Sequence, residues 1–484
     1  MYKNKSHAAS IYWHDYETFG VNPKTDRPVQ FAGIRTDFDL NIISDPLVHY
    51  AKPADDFLPH PQACLVTGIT PQHALEHGIP ETEFMQKILH EFSQPNTCVA
   101  GYNSLRFDDE VTRYTLYRNL YDPYAREWQN GNSRWDIIDL VRVCYALRPD
   151  GINWPKYDDG SPCFQLERLT AENNISHEGA HDALSDVTAT IDLAKLIKNK
   201  QPKLYDYYFQ HRNKKLVSNL LNIDAIKPVL HTSSMFPAEF CKTTLIAPIA
   251  KHPTNSNGII GFDLRYDPTD IIELSVDDIR ERLYTRREDL PKGIQHIPLK
   301  TIHINKCPVI VPAKIDDFVA NRLQIDKEKC HQHLKLLREM SNLKEKMAEL
   351  FKKSEFAEET DPDYQLYGGA FFTNPDKQRM EEIHKLDPIK LALKTYHFDD
   401  DRLPTLLFRY RARNYPNTLL ESEMEEWNAF RKARIEAPNS PKLLNKMAFF
   451  SLLNELKSDP GLSPKDQATL TALESYAHKI TDCI

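Results

Sequence analysis

The chain has 484 residues, which predicts about three domains, and a formal net charge of −8 at pH 7, which argues mildly against a protein that coats nucleic acid with a basic surface. Its eight cysteines include no Cys-x-x-Cys pair, so neither a zinc site nor a disulfide framework is predicted. The polar N-terminus and the absence of any apolar run near ~18 residues predict a cytoplasmic protein with no membrane partner.

Residues 1–201 begin with a meander of short apolar runs and continue with longer segments of helical periodicity. This order predicts an α/β domain with a mixed sheet and flanking helices, like the ribonuclease H fold. The predicted strands cover residues 11–16, 29–36, 42–51 and 97–102, and the predicted helices cover residues 81–93, 109–120, 137–147, 165–173 and 183–200.

Two acids, Asp15 and Glu17, lie at the end of the first predicted strand. Side chains in a strand alternate with a period of two, so both carboxylates point to one face. Neighbouring carboxylates repel each other and lose hydration when they are buried, and a divalent cation relieves both effects. The pair therefore predicts a metal site, although taken alone it also fits the solvated face of an edge strand.

A third acid, Asp108, follows the strand over residues 97–102 at its junction with a helix. Such a position suits a metal ligand carried at the edge of the sheet. Taken alone, Asp108 or Asp109 fits a helix N-cap equally well.

The helix over residues 183–200 carries Asp186 in its first turns, and His181 precedes it. Because His181 lies outside the helix, its ring is not fixed by the helical period and can turn toward a metal. His181 is therefore a candidate general base. Most histidines are surface or core residues, so this role depends on the joint pattern of acids and histidine.

The remainder of the chain changes character twice. Residues 202–355 contain short apolar runs broken by Pro, Asn and Gly, which predict a small β-barrel with a helical insertion over residues 276–283. Residues 356–484 predict an all-helical C-terminal domain. The barrel strands are predicted over residues 244–248, 258–264, 271–274, 297–304 and 309–311, and the C-terminal helices over residues 406–414, 420–437, 442–457 and 464–480.

Three motifs carry a resemblance to the histidine branch of the DEDD exonuclease superfamily, and within it to the bacterial exonuclease I family. They are residues 14–20, residues 101–113 and residues 180–186. His181 stands five positions before Asp186, which is the spacing of the histidine branch and not of the tyrosine branch. Further similar stretches cover residues 132–136, 146–149, 151–155, 303–308 and 410–414, so the likeness extends over nearly the whole chain.

The resemblance implies hydrolysis of single-stranded DNA from the 3′ end to nucleoside 5′-monophosphates, in DNA repair and recombination. It implies two Mg²⁺ ions, which Mn²⁺ can replace, held by Asp15, Glu17, Asp108 and Asp186, with His181 accepting the proton of the attacking water. It further implies a monomer whose Src-homology-3-like barrel and helical domain close a clamp on the strand, and a partner in the single-stranded-DNA-binding protein.

Eight residues beside the motifs are predicted to contact DNA. Arginines suit phosphates, aromatic rings suit unpaired bases, and Gln165 stands where the relatives have a basic residue. Each residue is also compatible with core packing or with an ion pair to a neighbouring acid. The set comprises Phe19 as a wedge, Arg113, Arg142 and Arg148 on phosphates, Tyr124, Trp128 and Phe164 on bases, and Gln165.

Basic clusters over residues 198–215 and 409–413 are further candidates for a DNA track, although a charge run is more often a solvated helix face. Two other functions remain open. A related small-RNA exonuclease or proofreading subunit is disfavoured by the long second and third segments. A single-strand-binding scaffold without catalysis is disfavoured by the presence of all five site residues.

Overall fold

The computed structural model describes residues 9–177, 179, 181–352, 359–438 and 443–482. Within these residues the strands are β1 (Ser10–Thr18), β2 (Pro28–Thr36), β3 (Leu47–Tyr50), β4 (Thr97–Gly101), β5 (Ser133–Asp136), β6 (Val229–Thr232), β7 (Thr243–Lys251), β8 (Gly258–Asp263), β9 (Leu299–His303) and β10 (Val309–Pro312).

The α-helices of the first half of the chain are α1 (Pro61–Thr67), α2 (Pro71–His77), α3 (Glu81–Phe92), α4 (Asp108–Arg118), α5 (Ile137–Leu147), α6 (Leu166–Glu172), α7 (Ala183–Lys200), α8 (Pro202–Gln210) and α9 (Lys214–Leu220). Those of the second half are α10 (Thr269–Glu273), α11 (Val276–Tyr284), α12 (Asp317–Arg322), α13 (Lys327–Glu339), α14 (Leu343–Leu350), α15 (Asn374–Lys385), α16 (Pro388–Ala392), α17 (Arg402–Asn414), α18 (Glu421–Glu436), α19 (Lys446–Lys457) and α20 (Pro464–Thr481). None of these described helices is both long and apolar enough to cross a membrane.

The chain divides into two compact units. The first unit contains the described parts of residues 1–133, 177–188 and 357–484, and the second those of residues 134–176 and 189–356. The candidate acids and His181 all belong to the first unit.

The first unit is built on a mixed sheet in which its strands follow the order β3-β2-β1-β4. β1 runs antiparallel to β2 and parallel to β4, and β2 runs antiparallel to β3. The predicted α/β fold with a mixed sheet is therefore confirmed. β3 is shorter than the predicted strand over residues 42–51, because Pro46 has no N–H for a ladder and Ile42 and Ile43 are exposed.

The core beneath this sheet is aromatic. Tyr16 and Phe31 meet edge to face at 4.9 Å between ring centroids, and Phe31 contacts Phe92 in the same way at 5.9 Å. β1 and β2 are buried along almost their whole length, and this burial includes polar side chains such as Glu17 and Gln30. This packing holds the strand that carries Asp15 and Glu17 rigidly.

The second unit contains an antiparallel sheet in the order β10-β6-β7-β8-β9, and the predicted small barrel is confirmed. The pattern missed β6, a four-residue strand that contains His231. The predicted strand over residues 271–274 is wrong, since residues 269–273 form α10. Asp267 accepts from the Thr269 amide at 2.8 Å at the start of this helix, and Lys346 donates from Nζ to carbonyls at its end.

The predicted C-terminal helices over residues 406–414, 420–437 and 464–480 correspond to α17, α18 and α20. The prediction over residues 442–457 corresponds to α19, and its first residue lies outside the described residues.

Candidate metal centre and active site

β1 brings Asp15 and Glu17 to one face of the sheet at its carboxyl end. Glu17 is buried, with 8% of its surface exposed, and the ladder pairs it with Gln30 of β2. The Gln30 side chain donates from Nε2 to Asp182 at 3.0 Å and accepts from the Ala183 amide at 3.3 Å. β2 therefore holds the start of α7 beside the acids of β1, a role for Gln30 that the sequence pattern did not indicate.

Asp108 is the first residue of α4, and its Oδ1 accepts from the backbone N–H of Tyr16 at 3.1 Å. Tyr16 lies between the two acids of β1, so this bond fixes the Asp108 carboxylate beside them. Asp109 instead forms a buried ion pair with Arg126 at 2.7 Å. Neither aspartate serves as the N-cap, a position that Phe107 occupies without a side-chain bond, so the N-cap interpretation is wrong.

Carboxylate oxygens of Glu17 and Asp186 and a ring nitrogen of His181 all lie within 4.8 Å of one another. His181 is exposed and has a φ of 68°, a left-handed backbone that only a few residue types adopt readily. The turn before α7 therefore directs this ring to the acids at some cost in backbone strain.

A second histidine, His177, was not predicted. Its Nε2 lies 2.5 Å from Oδ1 of Asp186, and its side chain is only 7% exposed. Sequence alone offered one signal for it, namely a position four residues before His181.

The acids destabilise one another in their charged forms. Burial, followed by the charges of Asp108 and Glu17, raises the pKa of Asp15 well above its usual value. Burial raises the pKa of Glu17 to about 8, and the charges of Asp186 and Asp108 add to the rise. Burial also raises the pKa of Asp186, although His177 opposes the change. A divalent cation would remove this penalty, and the carboxylate oxygens are ligands that such a cation binds.

The predicted DNA contacts of the first unit have different environments. Phe19 is 2% exposed, and its ring centroid lies 6.0 Å from that of Phe57, so it is a core residue in this structure. Arg113 is buried and donates to Glu127 at 2.7 and 2.9 Å, with its guanidinium 5.6 Å from the ring of Tyr124. Trp128 is 66% exposed and has a free surface for stacking.

The predicted contacts of the second unit are also mixed. Arg142 is buried and pairs with Asp139 at 2.6 Å. Arg148 and Gln165 are exposed, and Gln165 occupies the N-cap position of α6. Phe164 is half-buried and meets Tyr145 edge to face at 5.6 Å.

The prediction that the basic cluster over residues 409–413 forms part of a DNA track is wrong. Arg409 and Arg411 are buried, and the side chain of Arg413 is only 3% exposed. Arg411 pairs with Glu423 at 2.6 Å, and Arg409 and Arg413 pair with aspartates. Their charges are neutralised inside the protein by the acids that pack against α17.

Comparison with known proteins fits this geometry. Sequence profiles match over residues 12–194 ("Exonuclease"), 212–353 ("Exonuclease I SH3-like domain") and 360–480 ("Exonuclease I C-terminal domain"). Exodeoxyribonuclease I of Escherichia coli K12 is 48% identical over 482 residues, which cover 99% of this chain and 100% of the relative. The chain belongs to the exonuclease I family.

The protein is therefore an exodeoxyribonuclease, and the resemblance carried by its motifs is confirmed. Exodeoxyribonuclease I of Haemophilus influenzae is 50% identical over 430 residues, which cover 88% of this chain and 91% of the relative. A crystal structure of E. coli exonuclease I in complex with a dA16 oligonucleotide is 46% identical, with a TM-score of 0.93, covering 98% of this chain and 100% of that chain. Another structure of the E. coli enzyme with single-stranded DNA is a zinc-ion-bound form.

Proposed function

We propose that this exonuclease I hydrolyses single-stranded DNA from the 3′ end, releases nucleoside 5′-monophosphates and requires a divalent metal. The observation that carries the proposal is the convergence of Glu17, Asp186 and His181 within 4.8 Å. Asp15 and Asp108 belong to the same group of mutually repelling carboxylates. The DNA-bound and zinc-bound E. coli structures support the substrate and the need for a cation.

Asp15, Glu17, Asp108 and Asp186 would hold two Mg²⁺ ions, which Mn²⁺ can replace. When bound, such a pair neutralises charge on the attacking and leaving oxygens of the phosphodiester. His181 accepts the proton of the attacking water, since an imidazole ring nitrogen can serve as a general base. The exposure of His181 gives its ring the access to solvent that this step needs.

The wider assignment follows from the family. We propose an exonuclease domain over residues 1–201, a barrel domain over residues 202–355 and a helical domain over residues 356–484. The enzyme would act as a cytoplasmic monomer in DNA repair and recombination, together with the single-stranded-DNA-binding protein. The predicted DNA contacts that are exposed are Trp128, Arg148 and Gln165.

The test uses a single-stranded DNA oligomer labelled at its 5′ end, incubated with Mg²⁺ or with EDTA, beside a copy blocked at its 3′ end. The proposal expects a ladder from the free 3′ end that disappears with EDTA or with the block. Asp186→Asn should bind the oligomer and leave it intact. Cleavage that persists in EDTA, or that starts from the 5′ end, would overturn the proposal, and tight binding without cleavage would favour the scaffold function.

A further inference from the structure

The contact between His177 and Asp186 lies beside the metal centre. His177 is on the segment between α6 and α7, and its Nε2 is 2.5 Å from Oδ1 of Asp186. The side chains of the two residues are 7% and 19% exposed, so the bond is largely shielded from water. A hydrogen bond between a ring nitrogen and a carboxylate is directional, because the N–H must point at the oxygen that accepts it.

We propose that His177 is a positioning residue for Asp186, an inference that rests on the proposed function. The ring donates its Nε2–H to Oδ1, which fixes the rotamer of the carboxylate and leaves Oδ2 for the cation. Without this bond, repulsion from Glu17 would favour an Asp186 rotamer that turns away from the acids of β1. Residues that hydrogen-bond to a metal-ligating side chain in this way strengthen metal binding in proteins about 10- to 100-fold.

The two histidines near Asp186 therefore have different tasks. The ring of His181 is exposed and lies within 4.8 Å of both Glu17 and Asp186, as expected for a group that meets water. The ring of His177 is almost fully buried, and its Nε2 is occupied by Asp186. His177 thus acts through Asp186.

The experiment compares His177→Leu, which removes the donor, with His177→Gln, whose amide nitrogen reaches a position close to that of Nε2. Mn²⁺ binding to the DNA-free, full-length protein is measured by calorimetry, and kcat and KM are measured on a single-stranded oligomer. His478→Leu is the matched control, because His478 lies 3.8 Å from Asp482 in an exposed pair on α20.

We expect His177→Leu to bind Mn²⁺ about 10- to 100-fold more weakly and to lose kcat at a fixed metal concentration, with KM for DNA unchanged. His177→Gln should recover most of the metal affinity, and His478→Leu should match the wild type. Wild-type Mn²⁺ affinity in His177→Leu would overturn the inference. So would equal losses in both His177 variants with a lowered Tm, which would indicate a purely structural role. If the wild type itself bound no Mn²⁺, the proposed function would fail first.

Discussion

Arg413 donates from Nη2 to Asp56 at 2.8 Å, and both side chains are buried although 357 residues separate them. The same guanidinium donates to Asp363, and Arg434 reaches Asp56 and Asp363 at 3.1 and 2.6 Å. Arg27, near the start of β2, completes this buried network at 3.4 Å from Asp56. The network joins α17 and α18 to the N-terminal part of the first unit, in one electrostatic core.

Removing one acid from this network should lower the free energy of unfolding substantially. Asp363→Ala leaves Arg413 and Arg434 buried without one of their counter-charges, and we expect a loss of about 3–5 kcal/mol in the free energy of unfolding. Urea denaturation followed by the fluorescence of the buried Trp427 would report it. Asp482→Asn on the surface is the control, and a change below about 1 kcal/mol in Asp363→Ala would contradict the prediction.

Glu81 gives the protein a defined acid sensitivity. Burial alone would raise its pKa, but Arg118, which donates to both carboxylate oxygens at 2.8 and 2.6 Å, lowers the pKa to about 2 from its usual 4.5. A folded-state pKa below the unfolded value gives stability that is present above pH 4.5 and is lost as the pH falls toward 2. We expect this loss to be roughly 3 kcal/mol.

Equilibrium unfolding of the wild type and of Glu81→Gln across this pH window measures the contribution. The variant should be less stable than the wild type at neutral pH, and the difference should shrink between pH 4.5 and 2. A stability difference that stays constant between pH 4.5 and 2 would show that the ion pair between Glu81 and Arg118 does not cause the loss of stability in acid.

His181→Asn separates catalysis from folding. The left-handed backbone at this position, with φ 68°, is tolerated by Asn better than by Ala, so the turn before α7 should persist. We expect kcat to fall about 10²- to 10⁴-fold while binding of single-stranded DNA in EDTA stays close to that of the wild type. A variant that retains full turnover would assign the proton transfer to another group.

Gln30→Ala should weaken the attachment of α7 to the sheet without removing any of the candidate metal ligands. The substitution removes the bonds to Asp182 and to the Ala183 amide, which tie α7 to β2 opposite Glu17. We expect a loss of about 1–3 kcal/mol in stability and a larger metal requirement for activity, because Asp186 is carried by α7. Gln30→Glu keeps the acceptor for the Ala183 amide but places a second carboxylate where Gln30 now donates to Asp182, so it should lose at least as much stability as Gln30→Ala.

The features that sequence predicted well were those set by local pattern. The strand that carries Asp15 and Glu17, the strand-to-helix junction at Asp108 and the helix that carries Asp186 follow from short-range periodicity and chain order. The sequence did not predict the roles of Gln30 and His177, because these roles depend on hydrogen bonds to residues that only the fold brings near. Charge in sequence likewise does not show whether an arginine meets solvent or, like Arg413, a buried acid.

Short-range patterns also misjudged single elements. The apolar run over residues 271–274 has the composition of a strand. The Asp-Pro-Thr sequence before it nonetheless starts a helical turn, and Lys346 stabilises the end of that turn by donating to its terminal carbonyls. That lysine is 72 residues away from Leu274, so the stabilising contact was invisible to local periodicity.

Trp128 and Phe19, both aromatic and both predicted to meet DNA, should behave in opposite ways. Trp128 is 66% exposed, so Trp128→Ala should leave the fold unchanged and weaken binding of single-stranded DNA by about 1–3 kcal/mol, measured by fluorescence anisotropy in EDTA. Phe19 is 2% exposed, so Phe19→Ala should cost about 3–5 kcal/mol of stability through the cavity it leaves. If Phe19→Leu, which keeps most of the core volume, still lost DNA affinity, Phe19 would have to leave the core to act as the predicted wedge. Unchanged affinity in Phe19→Leu would make it a core residue only.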